Sequence, residues 1–456
     1  MRIIIGVHHF PPAYLGGAEW RAYRTASALL RNGHDASVVC VESVDNKHAA
    51  PIAYHDEVFQ GVPVRRLSFD LASSPDPLLW EYDNQWIGDH LRGYFAAEKP
   101  DVFHVIGGYL MTASALTAAN TLRIPTVVTL TDFWFLCRRL SMLQVDGTLC
   151  EPPFSPTKCA RCLGEEKRRF RWLGSIAPVL MNPYWRRQGT FATYFAQRRE
   201  YLQQVMATVD LTICPSRFLQ KMYKDEDMLP ERTVFLRQGL TFAKYKPEEL
   251  PKEPSSILRV GYMGQIARLK GVQVLIEAVH ALDGLPLELH IYGDTTAFPS
   301  YVAGMQEYSA SDVRIEFKGT FARNQLTDVL RTLDVVVVPS LWYENSPNVI
   351  LEAFAHNTPV IASNFGGMAE LVEDGVNGLL FQMGDLADLQ RVLRRLVEEP
   401  GLLDTLRDGA TLTTIPAAEE ELTALIELYA ELVASTPESY AAHSLATASP
   451  ALEQSG

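Results

Sequence analysis

Short continuous runs of Val, Ile and Leu recur along the chain. Between them lie longer stretches in which apolar residues return every three or four positions. Runs at Ile3–Val7, Ala36–Val41, Asp101–Val105, Thr126–Leu130 and Leu211–Cys214 read as strands, with helical patterns such as Ala18–Arg31 and Met111–Leu122 among them. A run that is apolar at nearly every position leaves no face for water, so it predicts a parallel sheet covered by helices on both sides. The same grammar restarts after residue 255, with strands at Ile257–Met263, Leu287–Tyr292, Val313–Phe317, Asp334–Val338 and Pro359–Ala362. Two α/β halves are expected, not one long sheet.

Lys, Glu and Pro crowd Lys244–Pro254, KYKPEELPKEP, which reads as an exposed linker. The N-terminal domain is therefore expected over 1–240 and the C-terminal one over 255–415. A last helix is expected over 419–434. The Ser/Ala/Thr-rich stretch 435–456 has little to bury and is expected to be a disordered tail. Residues 137–190 break the alternation. They hold four of the six cysteines, several prolines and the basic aromatic run Lys167-Arg168-Arg169-Phe170-Arg171-Trp172, and read as an insertion in the first half.

Charge narrows the partners. The balance of 41 Lys+Arg against 54 Asp+Glu leaves −13, which disfavours a nucleic acid, because binding phosphates needs a cationic face. No run reaches the roughly 18 apolar residues of a spanning helix. Met1–Val7 runs straight into a Pro/Gly loop and reads as a buried strand, not a signal peptide. Six cysteines in 456 residues do not make a disulfide scaffold, so a cytoplasmic, reducing location is expected.

The strongest chemical signal is the run Pro339 to Ala353, PSLWYENSPNVILEA. A buried strand ends, a loop follows and a helix begins, with Ser346 suited to the N-cap and Pro347 to the first helical position. The N–H groups of Asn348 and Val349 then belong to the unpaired first turn, an anion site suited to a diphosphate. Glu352 lies about five residues into the helix, roughly 7–8 Å along its axis, a reach that matches the distance from a phosphate to a ribose diol. Glu344 sits on the preceding loop. The plain alternative is a capped helix with two solvated glutamates.

This spacing of Glu344 and Glu352 resembles the retaining glycosyltransferases of the GT-B fold, family 4 (glycosyl transferases group 1). The resemblance extends to Gly261-Tyr262-Met263-Gly264 with Lys270-Gly271, to His290–Asp294, and to Gly366–Glu370 with Asn377–Phe381, and it covers nearly all of 255–400. It implies two Rossmann-like domains facing each other across a cleft, with the last helix crossing back onto the first domain. It implies a nucleotide-diphosphate sugar as donor, Glu352 on its ribose, Glu344 beside its sugar, and Lys270 neutralising the diphosphate. Gly264 and Arg268 belong to the same donor loop. It further implies a glycan, lipid-linked or small-molecule acceptor, in cell-surface polysaccharide or glycoconjugate synthesis. The lysine and helix N-terminus are expected to serve in place of a divalent ion, so no cofactor is required for the chemistry.

Two positions depart from the family pattern. Gln265 stands where an arginine is usual, with Arg268 close by. Thr131 stands where many members have a histidine facing the donor sugar, and Asp132 is the next ionisable group, at a strand end where α/β crevices form. In the N-terminal half, Gly16 and Gly17 follow the first strand and open a helix, with His8 and His9 flanking the same loop. Two rival readings follow from the departures: a non-catalytic sugar-binding helper, and a sugar-nucleotide epimerase on the same fold.

Two further groups lie in the insertion. Cys137, Cys150, Cys159 and Cys162 include one Cys-x2-Cys pair and are expected to hold a structural zinc, the alternative being four reduced thiols. The basic aromatic run, with Trp185-Arg186-Arg187, suits peripheral contact with the inner face of a membrane, or else a solvated helix face.

Overall fold

The computed structural model describes residues 1–435 except 15, 50, 167–175, 177–178, 180–188, 243 and 253. The basic aromatic run, Trp185-Arg186-Arg187 and the tail beyond 435 lie outside the described residues.

The first half forms one eight-stranded sheet: β1 (Arg2–Val7), β2 (Asp35–Ser43), β3 (Ala53–Phe59), β4 (Val62–Ser68), β5 (Val102–Ile106), β6 (Thr126–Thr129), β7 (Leu211–Cys214) and β8 (Thr233–Phe235). Its order is β3-β4-β2-β1-β5-β6-β7-β8. All pairs are parallel except β3 with β4. That hairpin escapes the apolar pattern because β3 is an edge strand with six of its seven residues exposed. Gln60 (φ 46°) and Gly61 (φ 84°) make its two-residue turn, both in the left-handed region that suits the strand twist.

The second half forms β9 (Leu258–Met263), β10 (Leu287–Tyr292), β11 (Ile315–Gly319), β12 (Val335–Val338), β13 (Val360–Ser363) and β14 (Gly378–Phe381). Their order is β11-β10-β9-β12-β13-β14 and every pair is parallel. The order reverses at β9/β12 in this sheet and at β1/β5 in the first. Loops leaving the carboxyl ends of the strands diverge there and open a crevice.

The helix Ala418–Ser435 returns to the first sheet. Leu425, Tyr429 and Leu432 pack with Ile3, Ile5 and Val7 in one buried cluster. Tyr429 meets the buried His104 of β5, whose Nδ1 lies 2.6 Å from the phenol oxygen and whose Nε2 lies 2.7 Å from Thr129 Oγ1. Arg21 pairs with Glu421, which also accepts from the Gly239 N–H at 2.9 Å. The chain thus crosses between the halves twice. The two crossings lie side by side: Leu240 N–H donates to Pro416 at 2.9 Å and Ala418 N–H to Leu240 at 2.8 Å.

Across the cleft, Ser216 Oγ donates to Asn345 Oδ1 at 2.7 Å, and Asn345 Nδ2 reaches the carbonyls of Leu130 and Thr131 at 3.3 and 3.4 Å. Arg237 pairs with Glu370. Among the described residues no helix is long and apolar enough to cross a membrane.

Candidate functional site

The β9/β12 crevice collects the groups expected at the donor site. Gly264 directly follows β9, and Lys270 closes the short 3-10 turn Arg268–Lys270 further on. Arg268 lies exposed at the start of that turn. Beyond β12, the loop folds so that one oxygen of the buried Glu344 takes three donors. Lys270 Nζ lies 2.7 Å from Oε1, Ser340 Oγ 2.8 Å and Trp342 Nε1 2.8 Å. Gly367 permits this close fold, since a Cβ there would fall 1.7 Å from the Asn345 carbonyl.

The helix begins at Asn348 and ends at Ala355, with Pro347 at its N-cap. Ser346 was expected at that cap with Pro347 as first helical residue. The start shifts by one because Pro347 keeps an extended ψ of 113°, and no side chain caps the turn. Ser346 Oγ and Asn348 Oδ1 are consequently buried without a partner beside an uncapped helix N-terminus. Asn348 and Val349 are its first two residues, as the anion site requires.

Glu352 is buried four residues further on. Its Oε1 accepts from Arg323 Nη1 at 2.6 Å, while Arg323 itself is 59% exposed. Nothing in the motif around Glu352 points to Arg323. It comes from the short turn Arg323–Gln325 after β11, 29 residues earlier in the chain. Ser340, Trp342 and Asn345 sit within the motif but carried no chemical signal of their own.

The opposite wall is built at the β1/β5 crevice. Gly16 is the N-cap of the helix Gly17–Arg31, and Glu19 in its first turn is buried. Glu19 turns back to His8 at the end of β1, with Oε1 3.3 Å from Nε2. The hydrogen bond to His8 helps hold the Glu19 carboxyl below its usual range against the opposing effect of burial. Asp132 follows β6. Its Oδ1 accepts from Trp134 N–H at 2.7 Å and its Oδ2 from Thr131 Oγ1 at 3.2 Å. Burial pushes the Asp132 carboxyl above its ordinary value.

Beside this wall lies a cavity of about 370 Å³ lined by Trp80, Tyr109, Trp134, Glu81, Arg138 and Arg198, among others. The Tyr109 ring is 5.8 Å from that of His8, so the cavity adjoins the cleft. Arg138 is clamped by Glu81 through two bonds, one of 2.8 Å. Buried Arg198 donates to the Trp134 and Phe135 carbonyls.

The four cysteines of the expected zinc site come together in the fold. Cys137, Cys150, Cys159 and Cys162 do line one cavity of about 40 Å³. Yet among the described residues no three His, Cys, Asp or Glu form a group that can hold a metal ion. Cys137, Cys150 and Cys159 pack as apolar groups against the first core cluster. Burial pushes the Cys159 thiol up to about 12 and the Cys162 thiol up to about 11, so both remain thiols at neutral pH.

Two family models match the chain: the glycosyl transferase 4-like domain over residues 16–239 and glycosyl transferases group 1 over residues 257–399. Together they take in most of its length. The D-inositol 3-phosphate glycosyltransferase of Streptomyces bingchenggensis (strain BCW-1) is 32% identical over 201 residues, 40% of this chain and 43% of that protein. The match thus spans less than half the length of that relative. Sucrose-phosphate synthase of Thermosynechococcus elongatus superposes with a TM-score of 0.63 at 18% identity, over 95% of this chain and 100% of that one. HepE of Anabaena, solved in complex with UDP, gives 0.62 at 18% identity, over 94% and 100%. These likenesses show a shared fold, the two-domain GT-B arrangement expected from the sequence.

Proposed function

The chain belongs to the glycosyl transferases group 1 family, and from that premise we propose that it moves a sugar from a nucleotide-diphosphate sugar to an acceptor hydroxyl with retention of configuration. The observation that carries this reading is the crevice at β9/β12. There an uncapped helix N-terminus, Lys270 and Glu352 stand together with orphaned polar atoms of Ser346 and Asn348 among them. In this reading the diphosphate takes the N–H groups of Asn348 and Val349 and draws Lys270 away from Glu344. The ribose diol takes Glu352 in place of Arg323. Negative charge grows on the diphosphate as the sugar leaves, so groups aimed there favour the transition state over the ground state. Glu344, relieved of Lys270 but still held on Oε1 by Ser340 and Trp342, faces the sugar.

The acceptor enters from the first-sheet wall. Its cavity mixes aromatic rings with a guanidinium–carboxylate pair, a lining suited to a sugar or polyol ring. A glycan, a lipid-linked glycan and a small polyol all carry that chemistry. The D-inositol 3-phosphate named for the relative is of the last kind. A role in cell-surface glycoconjugate synthesis in the cytoplasm, at the inner face of the membrane, belongs to the same reading.

Calorimetry with a panel of nucleoside diphosphates, followed by release of nucleoside diphosphate from the matching sugar nucleotide, tests the proposal. Binding with release supports transfer. Binding without release favours the non-catalytic helper that Thr131 and Gln265 suggest. Interconversion of sugars without release favours an epimerase.

A further inference from the structure

The cavity beside the first-sheet wall has an unbalanced charge. Three arginines and two glutamates line it: Arg138, Arg139 and Arg198 against Glu81 and Glu166. Arg138 takes both oxygens of Glu81. Glu166 is shared, with Arg139 Nη1 2.6 Å from Oε1 and Arg138 Nη1 3.4 Å from Oε2. Both carboxylates are thus taken by two of the three guanidiniums. Arg198, on the helix Gly189–Ala207, is left over. It is only 4% exposed, and its bonds run to the neutral carbonyls of Trp134 and Phe135. Among the described residues no carboxylate pairs with it, and Glu81 acts on it only from a distance. The stretch 167–188 contains no Asp or Glu that could supply a partner.

A guanidinium held out of water without a counter-charge destabilises the fold. In a chain of net charge −13 a local excess of positive charge is not background. The Tyr194 hydroxyl, which feels Glu81, Arg138 and Arg198, is likewise buried without a hydrogen-bond partner. The space beside them, about 370 Å³, falls in the range of small-molecule sites. Arg198 lies 5.3 Å from the centroid of the Trp134 ring, so the free charge and an aromatic face sit together. Tyr109 marks the side toward the cleft, its ring 5.8 Å from that of His8.

We propose that this cavity takes an anionic acceptor, a sugar or polyol bearing a phosphate group, with the phosphate on Arg198, the ring against Trp134 and the reacting hydroxyl toward the cleft past Tyr109. The proposal deepens the transferase reading and rests on it. A guanidinium offers five N–H groups in a flat fork that matches phosphate oxygens. Two of them are used on the carbonyls, which hold the fork still without neutralising it. A soluble phosphate monoester and the diphosphate of a lipid-linked sugar present the same oxygens to it. Arg198 is a binding residue that selects the acceptor, and it has no part in holding the donor.

Thermal melts test the site without any acceptor. Inorganic phosphate, set against chloride at equal ionic strength, should raise the wild-type Tm by about 1–3 °C. The shift should persist in Lys270→Ala, which lacks the donor-site cation, and vanish in Arg198→Met, which keeps an apolar stem without the charge. No shift in Lys270→Ala overturns the proposal whether or not an Arg198 variant folds, and a shift that survives Arg198→Met overturns it too. With the donor identified, wild type is offered neutral sugars and polyols, their phosphate monoesters, and prenyl diphosphate-linked sugars. One phosphate-bearing class should exceed the neutral one in kcat/KM by about tenfold or more, and which class it is separates a soluble from a lipid-linked source. In Arg198→Met the acceptor KM should rise while the donor KM stays unchanged. Neutral acceptors used equally well overturn the proposal. Failure of the transferase reading is recognised separately, as protein that binds a nucleoside diphosphate and releases none with any acceptor; the acceptor assignment then falls with it, whereas the anion site is still decided by the melts.

Discussion

The two walls of the cleft handle their charges differently. On the second-sheet wall the charges of Lys270, Glu344 and Glu352 are already paired within the protein: Lys270 with Glu344, and Glu352 with Arg323. On the first-sheet wall His8 Nδ1 has no partner, and Asp132 accepts only from a hydroxyl and a backbone N–H. A wall of internal pairs is stable when empty and must exchange partners when an anionic ligand arrives. A wall of unfilled acceptors needs no exchange and waits for a donor. The first suits a charged nucleotide, the second a neutral hydroxyl.

Removing a charge from the paired wall gives the largest expected effect. Lys270→Ala should lower the transfer rate by about 10²–10³-fold, the scale of losing one preorganised group at a developing negative charge. Steady-state kinetics checks this, and turnover within a few-fold of wild type hands the role to Arg268. Glu352→Gln comes next. Nucleotide binding should weaken by about 1–3 kcal/mol, as for a charge-assisted hydrogen bond, with the thermal melt little changed. Unaltered calorimetric affinity removes Glu352 from the ribose.

The first-sheet wall rests on a buried neutral imidazole, which offers a different lever. Desolvation lowers the His104 pKa to about 3. Between its ordinary 6.5 and about 3 the unfolded chain binds the extra proton and the folded one does not. The stability this group supports is therefore complete above pH 6.5 and is lost as the pH falls toward 3, by about 1.4 kcal/mol per unit. At pH 5 that amounts to about 2 kcal/mol. Denaturant unfolding of wild type and His104→Gln at pH 7 and pH 5 should show a shallower pH dependence in the variant. Parallel curves dismiss the effect.

The smallest effect sharpens the comparison most. Arg323 is largely exposed, so its pair with Glu352 is worth at most about 1 kcal/mol. If it only guards the empty site, Arg323→Ala should tighten nucleotide binding by up to about fivefold. Weaker binding shows instead that the guanidinium moves onto the nucleotide.

What the sequence discloses divides along physical lines. The buried parallel strands are legible because both faces are apolar, and Leu211–Cys214 and Leu287–Tyr292 appear at their expected bounds. The β3–β4 hairpin is not, because an exposed edge strand carries no burial signal and its Gln60-Gly61 turn lacks the usual Asn or Asp. Glu344 and Glu352 can be read from local spacing on one strand–loop–helix unit, and Lys270 from the separate loop after β9. Arg323 and the approach of His8 to Asp132 cannot: Arg323 lies 29 residues before Glu352, outside the motif, and His8 and Asp132 follow strands that meet only through β5 between them. The cysteines are legible only as a spacing. Cys-x2-Cys is a metal spacing, but on the helix Pro156–Glu165 it equally puts two thiols along one partly buried face.

The paired crossings at Leu240 and Ala417 set how the cleft can open. A single linker leaves two bodies free to swing, twist and slide. Here two chain passages run bonded to each other, and Gly239 lets them touch, since a Cβ there would lie 2.3 Å from the Ala417 carbonyl. Such a two-ply seam behaves like the spine of a book. It folds readily about its own line and resists torsion, because turning one cover against the other shears the bonds between the plies. The covers can therefore part and close along essentially one path, which brings the same atoms of the two walls face to face on every closure.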